Sequence, residues 1–148
     1  MNRITLPNEI MLGEVTRLLA EGHTVVMMAK GCSMLPFIVG DRDSVELQYN
    51  TSPKPGDIAL CEIAPKHWVL HRIIAESEDG FILKGDGNLD STERSRRDKV
   101  AGTVLNIRRP NGKMIDCLTP EFSKRSLRWR ALPRVIRRYY LAIYRRLI

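Results

Sequence analysis

The chain has 148 residues, 24 Lys and Arg against 17 Asp and Glu, three Cys, 43% hydrophobic residues and 6% aromatic ones. That describes one domain able to bury a core without disulfide or metal staples, and it excludes collagen-like, low-complexity and disordered classes. No apolar stretch approaches the roughly 18 residues of a bilayer span and Met1-Asn2-Arg3-Ile4-Thr5-Leu6-Pro7 lacks a signal-peptide core, so the expected location is cytoplasmic, at most peripheral at the inner membrane face. Cys32, Cys61 and Cys117 are odd in number and widely spaced, with no His cluster beside them. Neither a disulfide framework nor a metal site is indicated, and no cofactor is expected.

In chain order, Pro7 to Glu21 predicts an amphipathic helix, with Asn8 as cap, Ile10, Met11, Val15, Leu18 and Leu19 inward, and Gly22 as the stop. Short runs rich in Val, Ile and Leu follow at His23 to Ala29, Ser44 to Tyr49, Asp57 to Ile63, Trp68 to Ala75, Phe81 to Lys84 and Val100 to Arg109, with a last one at Lys113 to Leu118. Gly, Pro, Asn and Asp punctuate them, and the spacing predicts a small, mostly antiparallel β-barrel or folded sheet. Asp86 to Lys99 is too polar for a buried strand and predicts a long loop.

The charge is uneven. Nine of the basic residues follow Glu121, the last acidic one, which leaves 15 Lys and Arg against 17 Asp and Glu, a balance of −2, in residues 1–121. A compact, slightly acidic body, 1–121, is thus expected to carry a cationic tail, 122–148. Behind Pro133, Leu132, Val135, Ile136, Tyr139, Tyr140, Ile143 and Leu147 form one apolar stripe, with Arg130, Arg134, Arg137, Arg138 and Arg145 opposite and Arg146 close to the stripe. This basic amphipathic helix has two main readings. It closes the core with a solvated arginine face, or it lies on an anionic membrane surface through Arg134, Arg137, Arg138 and Arg145. Nucleic acid is the less expected partner.

Three stretches carry potential chemistry. Gly31-Cys32-Ser33-Met34-Leu35-Pro36 presents a serine in a turn after an apolar strand, with Met34, Leu35 and Phe37 as candidates for an apolar pocket edge. His67-Trp68-Val69-Leu70-His71-Arg72 is a strand in which period-two alternation puts His67, Val69 and His71 on one face. His71 is the candidate general base; the rival His67 follows Pro65-Lys66 in the hairpin loop. Lys84-Gly85-Asp86-Gly87-Asn88-Leu89-Asp90 ends a strand in a turn with two carboxylates, either able to orient an imidazole. Each stretch alone also reads as ordinary turn or strand chemistry.

Together and in this order they resemble the signal peptidase I family and its relatives, the self-cleaving SOS repressors. Gly31-Cys32-Ser33-Met34-x-Pro36 with Gly40-Asp41 is similar to that family's nucleophile box, Val69-Leu70-His71-Arg72-Ile73-Ile74 to its general-base box, and Lys84-Gly85-Asp86-Gly87-Asn88 with Asp90 to its last box. A histidine at the base position resembles the endoplasmic-reticulum and archaeal branch. The resemblance implies a barrel-like peptidase fold and a serine endopeptidase acting on a peptide, protein or leader substrate. In it Ser33 is the nucleophile, His71 the base, and Asp90 the orienting carboxylate with Asp86 as support or alternative. Gly31 stands where bacterial relatives place a hydroxyl donor, which leaves the Ser33 N–H to hold the oxyanion. A non-catalytic relative binding a membrane surface through its tail is the alternative expectation.

Overall fold

The computed structural model describes residues 8–148, with side chains from Ile10 onward. The expected helix start at Pro7 and the leader question at residues 1–7 therefore lie outside the described residues, as does the side chain of Asn8, the expected cap. Helix α1 (Asn8–Ala20) stops at Gly22, whose φ of 94° lets the Gly22 and His23 N–H groups return to the Leu19 and Leu18 carbonyls. Val15 and Leu19 are buried as expected, but Ile10 points to solvent.

The strands are β1 (Val25–Met28), β2 (Ser44–Gln48), β3 (Ile58–Ala64), β4 (His67–Ser77), β5 (Gly80–Lys84), β6 (Glu93–Ser95), β7 (Val100–Arg108) and β8 (Met114–Asp116). They form one antiparallel sheet in the order β1-β2-β7-β3-β4-β5-β6, with β8 also on β7. Register shifts at Glu46/Leu47, Leu60/Cys61, Glu62/Ala64 and Ile73/Ala75 interrupt the ladders. Each such bulge increases local twist, and the sheet curls into a half-barrel. Curling gives it two apolar interiors. The larger joins α1, the segment Met34–Val39, strands β2 and β7, and the C-terminal helices; the smaller is Ala59, Cys61, Ile73, Phe81 and Leu83.

Two expectations are corrected here. The stretch from Asp86 to Lys99 is not one loop: it contains β6, paired with β5 as Phe81↔Ser95 and Leu83↔Glu93, and a 3₁₀ turn at Arg97–Lys99. Three residues, two of them charged, carry no legible alternation, so only the pairing partner defines this strand.

The tail is two helices, α2 (Pro120–Ala131) and α3 (Arg134–Leu147), broken at Leu132-Pro133. The Thr119 side chain accepts the Phe122 N–H and starts α2, which buries Phe122, Ser126 and Trp129. Phe122 meets Phe37 edge to face at 5.6 Å. In α3 the orientation is the reverse of a core-closing helix. Leu141 is its one buried residue, Tyr144 packs on the core, and Arg134 and Arg137 lie on the body side. The apolar stripe faces outward. None of the described helices is long and apolar enough to cross a membrane.

Candidate active site

Ser33 sits in the turn linking β1 to the buried Met34–Val39 segment, held by Leu35 N–H to Cys32 O and by Phe37 and Ile38 N–H to Met34 O. Gly40 packs so tightly beneath this turn that a side chain there would overlap the Gly31 backbone. Ser33 is half-exposed, while Met34 beside it is buried. The Ser33 N–H has no acceptor among the described residues.

His71 reaches the same place from β4. It is buried, 5% exposed, and with Ser33 lines one open cleft of about 210 Å³ whose walls are apolar side chains from α1, β1 and β4: Met11, Leu12, Met27, Trp68 and Leu70. No hydrogen bond joins Ser33 Oγ to His71 Nε2. Catalytic hydrogen bonds are often long in unliganded enzymes and tighten with substrate. The other imidazole nitrogen, Nδ1, lies 2.9 Å from Glu93 Oε2. Glu93 is 22% exposed, and its acceptor-only carboxylate selects the tautomer with the proton on Nδ1, leaving Nε2 as the basic atom.

What brings the two stretches together is the turn after β5. The neighbour of His71, Arg72, points to the opposite side of β4 and makes a two-pronged ion pair with Asp86, at 2.9 and 2.7 Å. Its third nitrogen donates to Gly56 O, and its guanidinium lies 5.5 and 5.8 Å from the Phe37 and Phe122 ring centres. Both side chains are essentially buried, at 1% and 2%. Asp86 thus pins the turn, Trp129 Nε1 of α2 donates to Asp86 O, and Gly87 N–H donates to Ser33 O at 2.9 Å. Gly85 fills the remaining contact. A Cβ there would overlap the Ser33 carbonyl oxygen and stand 3.2 Å from His71 Nε2, so only a residue without a side chain lets turn and imidazole approach.

The carboxylates expected on His71 are elsewhere. Asp86 belongs to the buried pair with Arg72. Asp90 is exposed and bound by Arg134 of α3, with Nε to Oδ1 at 2.8 Å, which holds its carboxyl below the usual range. The imidazole's partner is Glu93 instead, because the chain turns back at Asn88 to Ser91 and lays β6 beside β5. Glu93 carries no sequence signal for this role, because the polar stretch around it predicts a loop. His67 is exposed at the start of β4, opposite Ala64. Met34 lines the cleft, whereas Leu35 and Phe37 are core residues. Burial pushes the Cys61 thiol up to about 11 and Cys117 to about 12, so both stay protonated; Cys32 is exposed next to Ser33. Among the described residues no group of three His, Cys, Asp or Glu is placed to hold a metal.

Family models, curated proteins and solved structures offer no match to the chain.

Proposed function

We propose that this protein is a serine endopeptidase of the signal-peptidase type. The reading rests on one observation: a turn serine and a strand histidine, distant in sequence, line the same open cleft, and the histidine's far nitrogen is engaged by a carboxylate. That is the arrangement acyl transfer needs. In the proposed reaction a peptide enters extended beside β1, the end strand of the sheet among the described residues, where an added strand would find backbone groups to pair with. Ser33 Oγ attacks the scissile carbonyl as His71 Nε2 takes its proton, and the oxyanion is held by the Ser33 N–H. Glu93 steadies the imidazolium. His71 returns the proton to the leaving amine, and water, deprotonated by the same nitrogen, hydrolyses the ester. Asp86 and Arg72 act in this scheme only by holding the turn against which Ser33 rests.

The fold relationship to signal peptidases and SOS repressors is part of the proposal and is supported by the order of the three motifs and by the curled antiparallel sheet that carries them. The test is incubation of wild type, Ser33→Ala and His71→Ala with a diverse peptide library, read by mass spectrometry. Cleavage by wild type that disappears in both variants supports the assignment. Equal cleavage by all three, or by none, overturns it.

A further inference from the structure

The apolar stripe of α3 has no protein partner among the described residues. Val135, Ile136, Tyr139, Ile143 and Leu147 are 57%, 49%, 68%, 62% and 78% exposed. A surface helix ordinarily turns such a stripe to the core. Here the inner side is occupied by other groups. Leu141 and Tyr144 pack on the body, Arg134 pairs with Asp90, and Trp129 lies edge to face against Tyr140 at 5.3 Å. The helix is therefore anchored by its arginine side and shows its apolar side, a continuous patch about 20 Å long for its 14 residues. Contiguous exposed apolar surface of this kind marks an interaction site.

The charge around it selects the occupant. Residues 122–148 hold nine Lys and Arg and no Asp or Glu. Arg138 and Arg145 are exposed on the flank of the stripe, and Arg146 stands at its edge. A second copy would set the same nine positive charges against these, a repulsive juxtaposition. A negatively charged lipid surface matches instead: the stripe enters the headgroup and acyl boundary, Tyr139 sits at the interface, and arginine side chains extend to the headgroups. We propose that α3 seats the protein on an anionic bilayer through this outward stripe, with Arg138, Arg145 and Arg146 as the lipid-facing charges. Of the two that the sequence groups with them, Arg134 pairs with Asp90 of the body and Arg137 is half-buried on the body side. The inference does not depend on Ser33 or His71.

Co-sedimentation of the full chain with vesicles of equimolar phosphatidylcholine and phosphatidylglycerol, and of phosphatidylcholine alone, tests it. Wild type is expected on the anionic vesicles, with much weaker binding to the neutral ones and a decline as salt is raised. Arg138→Gln/Arg145→Gln/Arg146→Gln should weaken anionic binding about a hundredfold, near fivefold for each charge. Ile136→Glu/Ile143→Glu should lose at least about tenfold with an unchanged melting temperature, because both side chains are already in solvent. Met114→Glu, an exposed apolar position on β8, should bind as wild type. Equal binding by wild type and Ile136→Glu/Ile143→Glu, or no binding by wild type, overturns the proposal. So does a dimer in light scattering that dissociates in that double variant, since it assigns the face to a second copy.

Discussion

Gly85→Ala isolates the contact on which the site geometry depends. The new Cβ would fall inside the Ser33 carbonyl oxygen and press on His71 Nε2, which lies 3.2 Å away, and on Asn88 Nδ2 at 3.0 Å. Ordinary carbon-oxygen contacts lie near 3.3 Å or beyond, so relief requires the Ser33 turn or the Gly85 turn to move by roughly 1 Å. That movement strains the hydrogen bond from Gly87 N–H to Ser33 O. Overpacking of about 1–3 kcal/mol and a lost hydrogen bond of about 1 kcal/mol give a destabilisation of about 2–4 kcal/mol. For a chain of this length the melting temperature should fall by roughly 5–15 °C. A displacement of about 1 Å between Ser33 and His71, the proposed nucleophile and base, should lower turnover on a cleaved library peptide about a hundredfold. Gly13→Ala is the control: it lies inside α1 with open space around its would-be Cβ, and should raise stability by about 0.5–1 kcal/mol without touching cleavage. Thermal melts and initial rates measure both effects. If Gly85→Ala melts and cleaves like wild type, the close approach of the two turns described above is wrong.

Three further outcomes are expected. Glu93→Gln should cut kcat by about 10²- to 10⁴-fold, while Asp90→Asn stays within about threefold; comparable losses in both would return Asp90 to the site. Asp86→Ala leaves Arg72 buried without its partner and should cost about 3–5 kcal/mol in urea unfolding, and a loss below about 1 kcal/mol would show that the pair does not hold the turn. Burial raises the Asp57 carboxyl above its ordinary value, against the Lys54 N–H that it accepts. Its contribution to folding is therefore fullest below about pH 4 and declines as pH rises through the folded value. Asp57→Asn should accordingly gain melting temperature over wild type more at pH 7 than at pH 4, and the opposite trend would reverse the sign of this argument.

Much of the architecture was legible in the sequence, since strands such as Ser44–Gln48 and Ile58–Ala64 carry their apolar runs and turn residues locally. Ser33 and His71 stand out only through the order of the three stretches and the family resemblance they carry together, since each alone reads as ordinary turn or strand chemistry. Local pattern did not reveal Glu93. A carboxylate's neighbour across a sheet depends on pairing register, and the three-residue β6 exists only because β5 is there to receive it. The same limit explains Asp86 and Asp90: both lie in the expected turn, but their partners, Arg72 and Arg134, are 14 and 44 residues away.

The helical period of the tail, its arginines and its apolar stripe are properties of the sequence alone, because 3.6-residue spacing needs no partner to be counted. Which side of that helix meets the body is not, and tertiary packing reversed the ordinary choice. With Trp129 hydrogen-bonded to the Asp86 carbonyl and Arg134 paired with Asp90, the Leu132-Pro133 break leaves α3 anchored by its charged side. Periodicity specifies that a helix has two faces; only the set of groups already waiting on the body, here an exposed carboxylate and the core around Leu141, decides which one is hidden.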